Sequence, residues 1–85
     1  AQPRLLLLDE PLLGLSPKLE QTLVKAIRDI NAQTGVTLLI AEQYARPILP
    51  IIDQGYVLEN GGVVMQGTSK ELMDNPDVKS AYFGI

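Results

Sequence analysis

Apolar residues fall along this 85-residue chain in three different rhythms. Leu5-Leu6-Leu7-Leu8 and Val36-Thr37-Leu38-Leu39-Ile40-Ala41 are short unbroken runs. Neither approaches the roughly 20 residues of a membrane helix. Their length and lack of alternation predict strands buried on both faces, as parallel sheets require. Between them, Leu19, Leu23, Ala26, Ile27 and Ile30 recur at helical spacing and form one core-facing stripe. Lys18, Gln21, Lys25, Arg28 and Asp29 lie outside that stripe and read as solvated surface. The helix is predicted from Pro17 to about Thr34. Ser16 serves as N-cap, Pro17 occupies the first helical position, and Gly35 supplies the stop. Strand, helix and strand in that order predict a right-handed βαβ unit.

The third rhythm is a hairpin. Gln54 to Glu59 and Gly62 to Gln66 flank Asn60-Gly61, a dipeptide that supplies the two positive φ values of a tight turn. Before it, Tyr44 to Asp53 is predicted helical, with Pro47 placed in a first turn and Pro50 kinking or shortening the rest of the helix. After it, Thr68 and Glu71 have the spacing of a capping box for a short helix through Met73. Asn75-Pro76 breaks that helix, and Asp77 to Tyr82 forms a last turn or two. The fold class is therefore α/β: a βαβ unit with parallel strands, then a β-hairpin and short C-terminal helices. There is no internal repeat and no flexible linker.

Composition narrows the function. Apolar residues make up 46% of the chain, with no Trp and a single Phe, which describes an aliphatic core. A domain of this size buries only roughly 60–65% of its unfolded surface, so its stability margin is thin. Net charge is −3 with acids and bases interspersed, and no basic patch tracks along any element. That argues against nucleic acid as a partner. The absence of Cys excludes disulfides and thiolate metal sites. The absence of His removes the commonest general base and metal ligand. The opening Ala1-Gln2-Pro3-Arg4 has no signal-peptide architecture and enters a core strand within five residues, which predicts a piece of a longer polypeptide.

Candidate chemistry sits where the two apolar runs end. Parallel strands deliver the residues after them to the carboxyl edge of the sheet, where open α/β folds keep their ligands. Here the tips carry Asp9-Glu10-Pro11 and Glu42-Gln43 to one edge. Two neighbouring carboxylates at a strand tip call for cationic or protic company. A hard cation such as Mg²⁺ and a water held for attack would supply it. The plainer reading makes them acids that begin a solvated loop, and makes Gln43 a capping or surface amide.

The run ending in Asp9-Glu10-Pro11 resembles the Walker B segment of an ABC-type ATPase, and the likeness extends over essentially the whole chain. Leu12 to Ser16 takes the place of the D-loop, Gln43 that of the switch histidine, and Asn60-Gly61 sits in a hairpin usually worded close to "ENG…V…G". The phrasing is similar to the ATPases of branched-chain amino acid importers, through Glu42-Gln43, Gly55 to Gly61, Asn75-Pro76, Val78, Ala81-Tyr82 and Gly84. There are departures. Ser16 stands where the family commonly has Asp, Leu12 replaces a small hydroxyl residue, and Gln43 cannot be protonated as a histidine can. Gln43 can still donate through its amide and accept from a water, so its role there would be positional.

The resemblance implies a partial P-loop NTPase-like fold, with residues 1–85 as the C-terminal part of a nucleotide-binding domain, from Walker B onward. It implies Asp9 as the Mg²⁺ residue and Glu10 as the general base that polarises the attacking water, with Gln43 contacting both water and γ-phosphate. Leu13, Gly14 and Ser16 would lie near nucleotide through the D-loop. ATP and Mg²⁺ would be the cofactors of the whole protein. The implied partners are a second ATPase subunit, transmembrane permease subunits and, indirectly, a solute-binding protein, at the cytoplasmic face of the plasma membrane. Leucine, isoleucine and valine are the favoured solutes, with urea or another amide as an alternative. A receiver-like phosphoacceptor module and a non-catalytic assembly module are the competing readings. The receiver lacks here an earlier acidic strand and a lysine at the later strand tip.

No G-x-x-x-x-G-K-[ST] loop and no Leu-Ser-Gly-Gly signature occur in these 85 residues. A leucine-rich strand edge without its expected neighbour favours self-association. Without a backbone nest and lysine for the phosphates, isothermal titration of the chain with Mg-ATP is expected to give no measurable heat of binding; micromolar affinity would contradict this reading.

Overall fold

The computed structural model describes residues 5–84. The sequence reading of Ala1 to Arg4 therefore lies outside the described residues. The chain divides into two compact units, Ala1–Pro47 and Ile48–Ile85.

In the first unit, β1 (Leu5–Asp9) and β2 (Thr37–Ala41) are joined by helix α1 (Pro17–Thr34). The strands pair in parallel, with Leu5 opposite Thr37 and Asp9 opposite Ala41. The Glu10 N–H donates to the Ala41 carbonyl at 2.7 Å, so pairing continues one residue past the strand and ties the start of the loop to its neighbour. Both ends of α1 follow the sequence. Ser16 Oγ accepts from the Leu19 N–H, and Gly35 adopts φ 69° with its N–H on the Asn31 carbonyl. Asn31 Nδ2 donates to the Val36 carbonyl at 2.7 Å and locks the turn that feeds β2.

Two expectations are corrected here. The strands are not buried on both faces. Leu5, Leu7 and Leu39 are exposed, while Leu6, Leu8, Leu38 and Ile40 are half-buried. A two-stranded sheet with one crossover helix has cover for a single face, so the continuous leucines alternate between wet and shielded positions. The helical stripe is also rotated. Leu19, Ala26 and Ile30 are exposed, Ile27 is buried, and Leu23 shares its half-shielded side with Glu20 and Val24. Positions 20, 23, 24 and 27 form the shielded row, a set that hydrophobicity alone masks because it contains a glutamate.

The second unit begins in a 3-10 turn, Leu49–Ile51, where a helix from Tyr44 to Asp53 was expected. Pro47 and Pro50 account for the difference, since neither can donate and each disfavours helix in the residue before it. The hairpin forms as predicted from β3 (Gln54–Glu59) and β4 (Gly62–Thr68), antiparallel around Asn60 (φ 51°) and Gly61 (φ 81°). A register shift between Val57 and Leu58 sets Val57 opposite Met65 and Leu58 opposite Val63, leaving Val64 as an extra residue.

Helix α2 (Ser69–Asp74) carries Leu72, the most buried large side chain of the unit, alongside buried Ile48, Leu49 and Val78. A Cβ at Gly55 would stand 2.6 Å from Leu72 Cδ1 and 2.8 Å from Ile52 Cδ1, so β3 runs against this cluster closely enough that any side chain there would make the ends of Leu72 and Ile52 shift. Ser69 Oγ donates to the Leu49 carbonyl at 2.6 Å and pins α2 to the 3-10 turn. Asn75 then caps the short helix α3 (Pro76–Val78) through its side-chain oxygen, and a wider turn, Lys79–Phe83, ends at Gly84 in the left-handed region.

The capping box at α2 is complete: Glu71 N–H donates to Thr68 Oγ1 at 3.2 Å, and Thr68 N–H donates to Glu71 Oε1 at 3.0 Å. The Thr68 backbone bond, with help from its hydroxyl, holds the Glu71 carboxyl below the usual carboxylate range. A depressed folded-state value means stability that is present above the ordinary glutamate range and lost as pH falls through the depressed value. Thr68→Ala is expected to cost about 1 kcal/mol at neutral pH and to shrink the stability lost on acidification, as read by urea denaturation at both pH values.

Candidate functional site

The carboxyl edge of the β1–β2 pair gathers three of the residues singled out in the sequence. Asp9 closes β1 and is exposed at the tip. Glu10 comes next with φ 48°, a left-handed conformation that a non-glycine residue adopts only when its surroundings impose it. Its amide is held by Ala41, and the turn after it is held by Leu13 N–H on the Glu10 carbonyl at 3.1 Å. With both backbone groups engaged, the Glu10 side chain is swung towards the other strand tip. There Oε1 accepts from the Gln43 N–H at 3.1 Å.

Glu42 makes the reciprocal connection. Its Oε2 accepts from the Leu12 N–H at 3.1 Å, across to the loop after β1, and its Oε1 accepts from the Tyr44 N–H at 3.2 Å in its own loop. Each strand tip therefore contributes a carboxylate that binds a backbone amide of the other tip. Hydrogen bonding from the Glu42 side chain lifts the Glu10 carboxyl above the usual carboxylate range. Partial desolvation and the charges of Glu42 and Asp9 add to this, and the Gln43 amide opposes it. Sequence reasoning placed Glu42 at this edge but assigned it no part. The available signal was its position: it stands at the end of β2 as Asp9-Glu10 stand at the end of β1, and in-register parallel strands bring equivalent tips together.

The loop from Leu12 to Ser16 divides in two. Leu12 is buried, whereas Leu13 is 79% exposed. Gly14 has φ 77° with nothing within 4 Å of a Cβ, so its conformation, not crowding, calls for glycine. Ser16 Oγ is committed to capping α1, accepting from the Leu19 N–H at 3.3 Å. Asp9, Glu10 and Gln43 thus form one cluster at the edge, while Leu13, Gly14 and Ser16 lie along the turn that leads from it into α1.

No group of three or more acidic side chains able to cage a metal ion occurs among the described residues. What the edge does present is exposed Asp9 beside Glu10. That fits an ion which takes one or two protein carboxylates and completes its octahedron with water and phosphate oxygens, as Mg²⁺ does. These 85 residues contain no glycine-rich phosphate loop of the G-x-x-x-x-G-K-[ST] form. Among the described residues no helix is long and apolar enough to cross a membrane.

No family model matches the chain. The high-affinity branched-chain amino acid transport ATP-binding protein BraG of Pseudomonas aeruginosa is 45% identical over 84 residues, covering 99% of the chain and 36% of that protein. The lipopolysaccharide export system ATP-binding protein LptB of Acidithiobacillus ferridurans is 37% identical over 82 residues, covering 96% of the chain and 34% of that protein. Among solved structures, cbiO1 from Clostridium perfringens, part of the ABC transporter complex cbiONQ, superposes with a TM-score of 0.79 at 30% identity over 89% of the chain and 30% of its own length. The chain's homologues over its whole length are thus ABC transporter ATP-binding subunits, and its fold is a part of the ABC ATPase fold. The chain spans about a third of the length of the curated relatives it matches.

The Gln43 amide reports on the site directly. Glu10→Ala is expected to raise its hydrogen-exchange rate while leaving that of Gly35, bonded to Asn31 in α1, unchanged. Equal protection of Gln43 in both proteins would show that the Glu10 carboxylate does not hold this loop.

Proposed function

We propose that this chain is the catalytic edge of an ABC transporter ATP-hydrolysing subunit, with Asp9 for Mg²⁺, Glu10 for the attacking water and Gln43 as the switch residue. The observation that carries the proposal is the hydrogen bond from the Gln43 N–H to Glu10 Oε1 at 3.1 Å, which brings the base and the switch position to one strand edge beside Asp9. The whole-length similarity to ATP-binding subunits supports it.

Within this reading each residue has a distinct task. Asp9, exposed and at the strand tip, offers a carboxylate to a cation directly or through water. Bound Mg²⁺ would neutralise charge on the transferred phosphate and orient it. Glu10 orients the attacking water and takes its proton. A carboxyl held above its ordinary range by Glu42 is better matched to proton transfer near neutral pH than an unperturbed one. Gln43, whose amide proton is already given to Glu10, is left with its side chain to donate to a phosphate oxygen or accept from the water. The turn from Leu12 to Ser16 would carry contacts to a second ATPase subunit, with Leu13 and Gly14 at its exposed part and Ser16 serving first as a helix cap.

The chain supplies metal acid, base and switch but no phosphate cradle, so turnover belongs to the whole subunit, working as a pair with membrane permease partners at the cytoplasmic face. The similarity to BraG, a branched-chain amino acid transport protein by name, favours that solute class, supplied through a solute-binding protein. LptB, named for lipopolysaccharide export, matches at 37% identity, so the ATPase edge is shared by transporters of unlike cargo. Transport assays of the whole system with labelled leucine would decide the solute.

Glu10→Gln in the whole subunit keeps the size of the side chain and an acceptor for the Gln43 N–H but removes the base. It is expected to retain Mg-ATP binding and to lower kcat by about 100- to 10,000-fold. Equal loss of binding and rate in a titration and steady-state comparison would show Glu10 to be structural.

A further inference from the structure

Glu42 accepts from backbone amides of both loops at the edge, and the function proposed above uses only its charge beside Glu10. Its two oxygens are divided: Oε2 accepts from Leu12 in the turn after β1, and Oε1 accepts from Tyr44 in the turn after β2. Carboxylate-to-amide bonds of this kind are stronger than neutral ones and fix direction as well as distance. Leu12 is buried at its own end of the bond, so the turn is anchored on both sides of that amide. Glu10 meanwhile holds Gln43, the residue between Glu42 and Tyr44. The consecutive residues Glu42, Gln43 and Tyr44 are thereby stitched to Glu10 and Leu12 by two side-chain-to-amide bonds, with a third closing the segment on itself, beside the backbone bond of Glu10 to Ala41.

We propose that Glu42 is a positioning residue for the ATPase reaction: by gripping the Leu12 and Tyr44 amides with one carboxylate, it sets the Glu10 carboxylate and the Gln43 turn in register with each other. The inference rests on the reading of Glu10 as the base. Glu42 touches no substrate in it. It acts on where Glu10 points, because residue 10 lies between a backbone bond to Ala41 and a turn whose far side Glu42 holds. Displacement of a positioned group by about 1 Å can cost about 100-fold in rate. A single carboxylate spanning both turns also means that movement of the Leu12–Ser16 turn is felt at Gln43 without any element shifting as a whole. A merely structural Glu42 would fasten the same loops, but its removal would then lower stability and leave the chemistry of the folded protein intact.

The test uses the whole ATP-binding subunit in its assembled form. Glu42→Ala is expected to lower kcat about 10- to 100-fold with the KM for Mg-ATP unchanged. Glu42→Gln keeps the side-chain length and one acceptor oxygen, and it is expected to recover a large part of the rate. Combined with Glu10→Gln, the alanine variant is expected to add no further loss, since a residue acting through Glu10 has nothing left to position. Wild-type kcat in folded Glu42→Ala, or a fully additive double variant, would overturn the inference. If Glu10→Gln itself turns over normally, the reading of the site fails. If Glu10→Gln is inactive while Glu42→Ala is normal, only the role of Glu42 fails. Should Glu42→Ala not fold, Glu42→Leu, which keeps the bulk and removes both acceptor oxygens, carries the same comparison: lowered kcat at unchanged KM supports the role, and unaltered kcat overturns it.

Discussion

The first unit depends on the end of one strand pair. Five residues of β1 face five of β2 in parallel, and the Glu10–Ala41 bond carries that pairing into the loops. Everything chemical lies within three residues of this point. Two parallel strands in register bring equivalent positions together at their tips, and here both tips carry acids. Two carboxylates close together repel unless each finds donors. The structure meets this by giving each one a backbone amide from the opposite loop, with Glu42 taking one of its own as well. The result is a cross-tie whose members are also the candidates for chemistry, so that holding the loops and orienting the Glu10 carboxylate are one act.

The helix and hairpin were legible for reasons that can be named. Ser16, Pro17 and Gly35 bracket α1 at both ends because capping chemistry is local, and local chemistry survives any tertiary context. Asn60-Gly61 and the Thr68–Glu71 box are equally local, and both formed. The misplaced elements share a different cause. The stretch from Tyr44 to Asp53 was judged by polarity and length, but Pro47 and Pro50 left room for a 3-10 turn alone. The burial of the leucine run depended on what lies over each face, which a run of identical residues does not disclose. The helical stripe drifted by about one residue because Glu20 sits in the shielded row while Leu19 faces water.

At the site, residue types and order were enough to gather Asp9, Glu10 and Gln43 at one edge. One feature was not legible: the bond of Glu42 spans 30 residues of sequence, to Leu12, and its position at the end of β2 signals only its place at the edge and not that partner. The N-cap role of Ser16 was legible, and its hydroxyl is on the Leu19 amide. The whole-length similarity to ATP-binding subunits bears on the fold, and the strand-tip bonding joins the Glu10 carboxylate to the Gln43 backbone amide.

The left-handed backbone at Glu10 has a consequence of its own. A residue there must satisfy two unrelated demands: a torsion that excludes branched side chains, and a carboxylate that reaches the neighbouring tip. Valine, isoleucine and threonine are barred by the first before the second is ever consulted, whereas glycine and asparagine pass the first and fail the second. Mutational scans at this codon will therefore separate into two populations, chains that do not assemble the loop and chains that assemble it without the tie to the Gln43 amide.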